Sequence, residues 1–329
     1  MSEQTTVLVA GGAGFLGVHT IRRLLTLGYQ VRATLHERPA VIDDPRITYV
    51  RADLTRMEHC QRAVQGTEAV FMCAANTSGA AVINETPLVH VTPNIVMNAQ
   101  MLAAAYAAGV TKFVFISSSA AYPPTGSRPV REEELFLGEP EDVYYSAGWM
   151  KRYSEILCRI YAEKVNPRMT TIVIRPSNIY GPFDKFDPKR SHVTAALIRK
   201  VVERQQPIEV WGTGEDVRDL LYVDDFLDGM MLAFQKSQGH LAVNIASGQG
   251  YTVTQILQTL LEVDGYQDAE VRYDPSKPRT TPMRLIDTTL AKRLLGFHPT
   301  VSLSEGFRRT VQWYRSTMAA EAQRSIACP

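Results

Sequence analysis

The 329 residues carry 35 Lys+Arg against 34 Asp+Glu, a formal charge of +1, with 45% hydrophobic residues. This balance selects no polyanion partner and argues against nucleic acid, and no apolar run approaches membrane-spanning length. The length suits two lobes around a large core.

The chain enters an apolar run soon after Met1, leaving no room for a signal peptide, so a soluble chain without a membrane partner is expected. Cys60, Cys73, Cys158 and Cys328 show no CxxC spacing. A reducing, cytoplasmic location and no metal site are expected.

In chain order, Thr6-Val7-Leu8-Val9-Ala10 reads as a strand ending in glycines, followed by helical spacing from Val18 to Leu27 and a second strand over residues 30–34. Predicted strands at 47–50, 69–73, 113–116 and 171–174 continue the alternation, with helices over 94–108 and about 146–164. This rhythm implies an α/β, Rossmann-type doubly wound parallel sheet. From Pro176 onward, Pro182, Pro188 and Pro207 break the chain into shorter pieces, which implies a smaller, irregular α+β lobe facing substrate. The expected division is a dinucleotide-binding domain over 1–175 with a return segment at about 220–248. The substrate lobe would take 176–219 and 249–318, and 319–329 would be a frayed tail.

Gly11-Gly12-Ala13-Gly14-Phe15-Leu16-Gly17 lies between the first strand and the first helix, the context in which a glycine loop is informative. Gly11 permits the tight turn, Gly14 lets backbone approach a pyrophosphate, and Gly17 lets the helix pack close. The helix start at Phe15 and Leu16 then offers N–H groups and a positive dipole end to phosphate. The second strand ends Thr34-Leu35-His36-Glu37-Arg38, without an acid at the strand end itself. His36 and Arg38 suit a 2′-phosphate and tilt the choice toward NADP, while Glu37 keeps NAD open. Asp53, followed by Leu54, suits an amide contact to adenine or a helix cap. Ala74 and Ala75, just after the fourth predicted strand, complete the expected cofactor contacts.

These landmarks are joined by Ser117-Ser118-Ser119-Ala120-Ala121-Tyr122-Pro123, the helix carrying Lys151, Arg175-Pro176-Ser177-Asn178-Ile179-Tyr180-Gly181-Pro182 and Arg218-Asp219-Leu220-Leu221-Tyr222-Val223. In that order the chain resembles the extended short-chain dehydrogenases/reductases acting on nucleotide sugars, over nearly its whole length. Within them it is most similar to the GDP-fucose synthase and GDP-mannose 3,5-epimerase groups. The resemblance implies that Ser118 hydrogen-bonds the reacting sugar oxygen and that Lys151 holds the nicotinamide ribose. It places Pro176, Asn178 and Ile179 beside nicotinamide and sugar. Ser119, His192, Val193, Lys200, Trp211 and Arg218 fall on substrate-contact positions, with Arg279 and Arg284 closing over the nucleotide. A homodimer formed through the two long helices is also implied.

Two departures decide the expected chemistry. The cysteine base of the resembled enzymes is Ala120 here, although His192 occupies the partner acid position, and no Asp-Glu pair follows the serine as a dehydratase needs. The catalytic tyrosine four residues before Lys151 is Ala147. A Tyr–Lys pair at that spacing shares a helix face, so the ammonium lowers the phenol pKa. Tyr145 and Tyr144 are candidate substitutes, though i and i+2 point to different sides of a helix. The expected activity is NAD(P)-dependent C4 epimerisation or 4-keto reduction of a nucleoside-diphosphate sugar, GDP-hexose first. The alternatives are a non-catalytic sensor of dinucleotide or sugar nucleotide and a 3,5-epimerase type lacking its cysteine.

Overall fold

A computed structural model describes residues 5–77, 86, 88–188, 191–277 and 281–327, with side chains as far as 319. Arg279 and Cys328 lie outside the described residues. Seven strands form the main sheet: β1 (Thr6–Ala10), β2 (Gln30–Leu35), β3 (Ile47–Arg51), β4 (Ala69–Met72), β5 (Lys112–Ile116), β6 (Thr170–Pro176) and β10 (His240–Ile245). Their order is β3-β2-β1-β4-β5-β6-β10, and every pairing is parallel.

Alternate residues of β1 show why the sheet needs cover on both sides. Val7 and Val9 join a core with Ile21 and Leu24 of α1 (Phe15–Thr26), Phe226 and Met230 of α6 (Val223–Lys236), and Leu295 of α8 (Thr289–Leu295). Leu8 and Ala10 join the opposite core with Cys60 of α2 (Met57–Val64), Met101 of α3 (Leu88–Ala107) and Cys158 of α4 (Tyr145–Glu163). Side chains of period two thus fill two separate layers, as a doubly wound sheet requires.

The second lobe is built on two small sheets. In one, β9 (Val217–Tyr222) pairs with β7 (Asn178–Tyr180), β11 (Gly250–Thr252) and β13 (Met283–Arg284). In the other, β8 (Ile208–Trp211) pairs with β12 (Val271–Asp274). Helices α5 (Val193–Val202), α7 (Val253–Asp264) and α9 (Leu303–Ala327) enclose a third core containing Leu197, Ile256, Leu260 and Phe307.

Three details differ from the sequence expectation. Residues 220–222 stay in the small sheet, and the return to the main sheet begins with α6 and ends with β10. Helix α9 continues through Ala327 where a frayed tail is expected, in a stretch rich in good helix formers such as Ala, Arg and Gln. Helix α3 begins at Leu88 rather than Asn94 and runs through Pro93. Proline has no N–H for the carbonyl four residues earlier, which is that of Val89. Asn76 Nδ2 donates to Val89 O at 3.0 Å in its place, so the early helix survives by tying down the loop after β4.

Candidate active site

The glycine turn is held through its backbone N–H groups, both of which reach Thr34. Gly11 N donates to Thr34 Oγ1 at 2.8 Å and Gly12 N to Thr34 O at 2.9 Å, which fixes the turn against β2. Gly11 has φ +83°, a conformation that suits glycine, and a Cβ there would lie 2.7 Å from Ala74 Cα. At Gly17 a Cβ would lie 2.1 Å from Gly11 O, so α1 can approach the turn only without a side chain. Gly14, the N-cap of α1, makes no side-chain cap bond, and a Cβ on it would meet only Gly11 O at 3.3 Å. The turn therefore has a closed side, packed on Ala74, and an open side at the helix N-terminus. Both properties fit a pyrophosphate, whose oxygens would take the unpaired N–H groups of the first turn.

Other expected cofactor residues divide by side-chain direction. His36, Glu37 and Arg38 are exposed beyond β2, and Arg51 Nη1 braces His36 O at 2.6 Å. Asp53 Oδ1 accepts from Thr55 N at 3.0 Å and Thr55 Oγ1 at 2.7 Å, and these bonds hold its carboxyl below the ordinary range. Leu54 is buried in the core, so its side chain is unavailable to a ligand and only its backbone can face one. Phe15 and Leu16 are half-buried at the seam between the lobes, and Ala74 and Ala75 follow β4 beside the turn.

At the end of β5, Ser118 caps a short 3₁₀ turn over Ser119–Ala121, its Oγ accepting from Ala120 N at 3.1 Å. The hydroxyl proton remains available to donate to a ligand oxygen. Lys151 Nζ donates to Ile116 O at 2.8 Å and lies 4.9 Å from the Phe115 ring centroid. Burial pushes its pKa down to about 8, opposed by the carboxylate of Glu155 one turn on. Ala147 is half-buried on the Lys151 side of α4, and no phenol occupies that side chain's place.

The structure does not bring Tyr145 to Lys151. Tyr145 is 47% exposed and edge-on to Trp149, with ring centroids 6.5 Å apart. That i,i+4 pair marks a helix face different from the Ala147–Lys151 row. Tyr144 ends a 3₁₀ turn just before α4, and its N donates to Glu141 O at 2.8 Å.

What positions α4 was hidden in residues to which the sequence reading gave no role. A Cβ on Gly148 would lie 2.5 Å from Pro140 Cβ and 2.9 Å from Ala120 O, so this glycine lets the helix touch the serine turn. Arg152 is buried and donates to Ala121 O and Gly138 O, each at 2.7 Å. Beneath them lies a buried network. Arg175 Nη2 pairs with Glu155 Oε2 at 2.7 Å, Arg175 Nη1 donates to Tyr122 Oη and Glu132 O at 2.9 Å, and Tyr122 Oη donates to Asn244 Oδ1 at 2.7 Å. Ser117 Oγ donates to Glu155 Oε1. The network links β5, α4, β6 and β10 under the serine and lysine.

Pro176, the last residue of β6, is buried, while Asn178 beyond it is exposed and donates through Nδ2 to Asp219 O at 3.2 Å; Ile179 packs at the lobe seam. Arg218 on β9 and Arg284 on β13 are direct register partners. Arg218 donates to Thr281 O at 2.8 Å and lies 3.4 Å from Asp216. Arg284 is buried, donates to Pro123 O at 3.1 Å and stands 3.5 Å from Glu141. A cavity of about 690 Å³ opens beside these arginines, lined by Pro123, Glu139, Glu141, Asp142 and Thr281 among others. Lys200 and Trp211 form a separate group joined by Glu209, whose carbonyl accepts from Lys200 and whose carboxylate accepts from Trp211 Nε1 at 3.0 Å. His192 and Val193 are exposed at the start of α5. Asp184, in the segment leading there, is pushed up to about 7 by burial, opposed by the N–H and ammonium of Lys185. Among the described residues no cluster of three His, Cys, Asp or Glu side chains suits a metal, and no helix is long and apolar enough to cross a membrane.

Comparison with known proteins agrees with this geometry. The sequence pattern of the NAD dependent epimerase/dehydratase family matches residues 7–246. A probable GDP-L-fucose synthase 1 of Oryza sativa subsp. japonica is 31% identical over 317 residues, covering 94% of this chain and 91% of that protein. GDP-mannose 3,5-epimerase 1 of the same plant is 28% identical over 331 residues, covering 99% and 85%. The crystal structure of UDP-glucose 4-epimerase from Thermotoga maritima with UDP-glucose superposes with a TM-score of 0.85 at 29% identity, covering 95% of this chain and 100% of that one. With the doubly wound sheet, the glycine turn and a family match spanning both, the chain belongs to the NAD dependent epimerase/dehydratase family.

Proposed function

We propose that this chain binds a nicotinamide dinucleotide and a nucleoside-diphosphate hexose, GDP-hexose first, and is built for hydride transfer at C4, as an epimerase or a 4-keto reductase. The observation that carries this reading is the glycine turn, open at the α1 N-terminus, together with Ser118 just past β5 and Lys151 in the second turn of α4. Gly11, Gly14 and Gly17 would hold the pyrophosphate and Lys151 the nicotinamide ribose. His36 and Arg38, exposed at the adenosine end with no carboxylate at the strand end, favour NADP over NAD.

The bound coenzyme would supply hydride acceptance and donation. Ser118 Oγ would donate to the oxygen on C4, a phenol at position 147 would exchange that oxygen's proton, and the Lys151 ammonium would lower the phenol pKa for the task. Arg218 and Arg284, register partners now held by Asp216 and Glu141, would turn their guanidinium groups to the diphosphate. His192 and Val193, with Ser119 and Asn178, would border the hexose, and Lys200 and Trp211 the nucleotide. Ala120 supplies no base for proton removal beside a ketone, which disfavours 3,5-epimerisation. The exposed row of Tyr145, Trp149, Tyr153, Ile156 and Ile160 on α4 suits a homodimer face, and a cytoplasmic setting matches the reduced cysteines.

Ala147 removes the proton-transferring phenol while leaving the binding groups, so we assign this chain a complete coenzyme seat and disabled chemistry. Ala147→Tyr should raise NAD(P)-linked turnover of a nucleotide hexose by ~10²–10⁴-fold, the usual scale of general acid–base catalysis. Turnover is followed by nicotinamide absorbance for a reductase and by product sugar analysis for a redox-neutral epimerase. No gain on any nucleotide hexose would favour the second reading, a ligand-sensing protein without turnover, for which Ala147 itself is the supporting observation.

A further inference from the structure

The segment leaving β7, Gly181-Pro182-Phe183-Asp184-Lys185, runs from α1 to the loop after β4, the two elements that flank the glycine turn. At its root His19 Nε2 lies 2.8 Å from Pro182 O, and the Phe183 ring stands edge-on to His19 at 5.7 Å. The Arg22 guanidinium sits 4.7 Å from the Phe183 centroid. His19 and Arg22 belong to α1, and His19 in turn meets Phe15, the first residue of that helix, at 5.6 Å. The root of the segment is therefore seated on the first turns of α1.

Its far end is on the other wall. Lys185 Nζ donates to Thr77 O at 2.8 Å and to Thr77 Oγ1 at 2.7 Å. Thr77 lies in the loop after β4, whose Ala74 closes the opposite side of Gly11. From α1 to this loop, the segment spans the two walls between which a pyrophosphate on Gly11–Gly17 would lie.

Both ends are braced from outside the groove. Phe183 and Phe186 pack on Trp313 with centroids at 4.9 and 5.8 Å, and Phe186 stacks on Tyr314 at 4.5 Å. On the loop side, Asn76 N donates to Asn94 Oδ1 and Asn94 Nδ2 to Asn76 O, each at 2.8 Å. The lysine contact is half-exposed and made by a flexible side chain, whereas the other anchors of the strap are packed aromatic rings and main-chain bonds.

We infer that Lys185 and Thr77 form a latch across the dinucleotide groove, so that coenzyme exchange requires their separation and the chain retains its coenzyme between encounters with substrate. Lys185 thereby acts as a positioning residue for the dinucleotide. The inference rests on the dinucleotide reading of the glycine turn.

Stopped-flow fluorescence of NADPH, loaded and then displaced by excess NADP+, tests it on the full chain. In Lys185→Met both release and association should accelerate by roughly ten- to hundredfold, the scale of a lost charge-assisted hydrogen-bond pair. Equilibrium affinity should change much less than either rate. Thr77→Val should give a smaller effect, since the carbonyl acceptor remains, and should add little to Lys185→Met. Lys185→Arg should restore slow exchange, and an unchanged thermal midpoint in Lys185→Met checks the fold. Unchanged rates would overturn the latch, and so would faster release with unaltered association, which would mark Lys185 as a direct coenzyme contact. If the unmodified chain binds no nicotinamide coenzyme, the dinucleotide reading falls and the latch with it.

Discussion

Around the glycine turn the decisive contacts are made by its own backbone, from Gly11 N on the Thr34 hydroxyl to the carbonyl of Gly11 that excludes a side chain at Gly17. Around Ser118 and Lys151 the decisive contacts are side chains, propped by Glu155, Arg152 and Arg175 and lacking a phenol at position 147. A site of the first kind tolerates changes that spare its glycines and the Thr34 hydroxyl. A site of the second kind loses its chemistry with one side chain while its architecture stands. On the proposed reading binding and turnover should thus be separable, and substitutions on the two sides should affect different measurements.

The widest separation is expected at Ala147→Tyr, where turnover rises by the factor given above while coenzyme affinity stays as it was. Next is the buried pair beneath the lysine. Arg175 and Glu155 have side chains only 6% and 5% exposed, so Arg175→Met leaves the buried carboxylate with Ser117 and the more distant Lys151 alone and should cost about 3 kcal/mol in denaturant unfolding. Stability that is unchanged would mean that the network is not coupled to the fold.

A smaller effect is expected with pH. Burial lowers the Lys151 pKa from its ordinary value of 10.5 to about 8. Turnover restored by Ala147→Tyr depends on the ammonium and should fall as pH rises through about 8. Stability moves the other way, because between about 8 and 10.5 the unfolded chain binds more protons at this residue than the folded chain. Its contribution therefore rises with pH over that window, which thermal unfolding of the chain against Lys151→Met can read.

The sequence was most informative where one residue type has one physical use. The strands of the main sheet followed from short apolar runs between turn residues, and the turn itself from glycines in a strand–loop–helix setting. Helix α3 starts at Leu88, ahead of the predicted 94, and runs through Pro93, which by local pattern breaks a helix. The compensating donor, Asn76, sits seventeen residues earlier and cannot be seen by local pattern. Gly148 and Arg152 escaped for a similar reason. Their significance lies in contacts with Pro140, Ala120 and Ala121, made only when α4 docks. Lys185 and Thr77 are 108 positions apart and carry no motif, so only the folded chain joins them. Tyr145, in contrast, was already disfavoured by helix periodicity, and its pairing with Trp149 agrees.

The central claim is that the glycine turn seats a nicotinamide dinucleotide beside Ser118 and Lys151. Calorimetric titration of the purified full-length chain with NADPH and NADH, run beside Gly17→Val, tests it most directly. The account predicts saturable binding at one site per chain, tighter for NADPH, and its loss in Gly17→Val, where the Cβ alone would lie 2.1 Å from Gly11 O. Absence of binding by the unmodified chain, or equal binding by Gly17→Val, would contradict it.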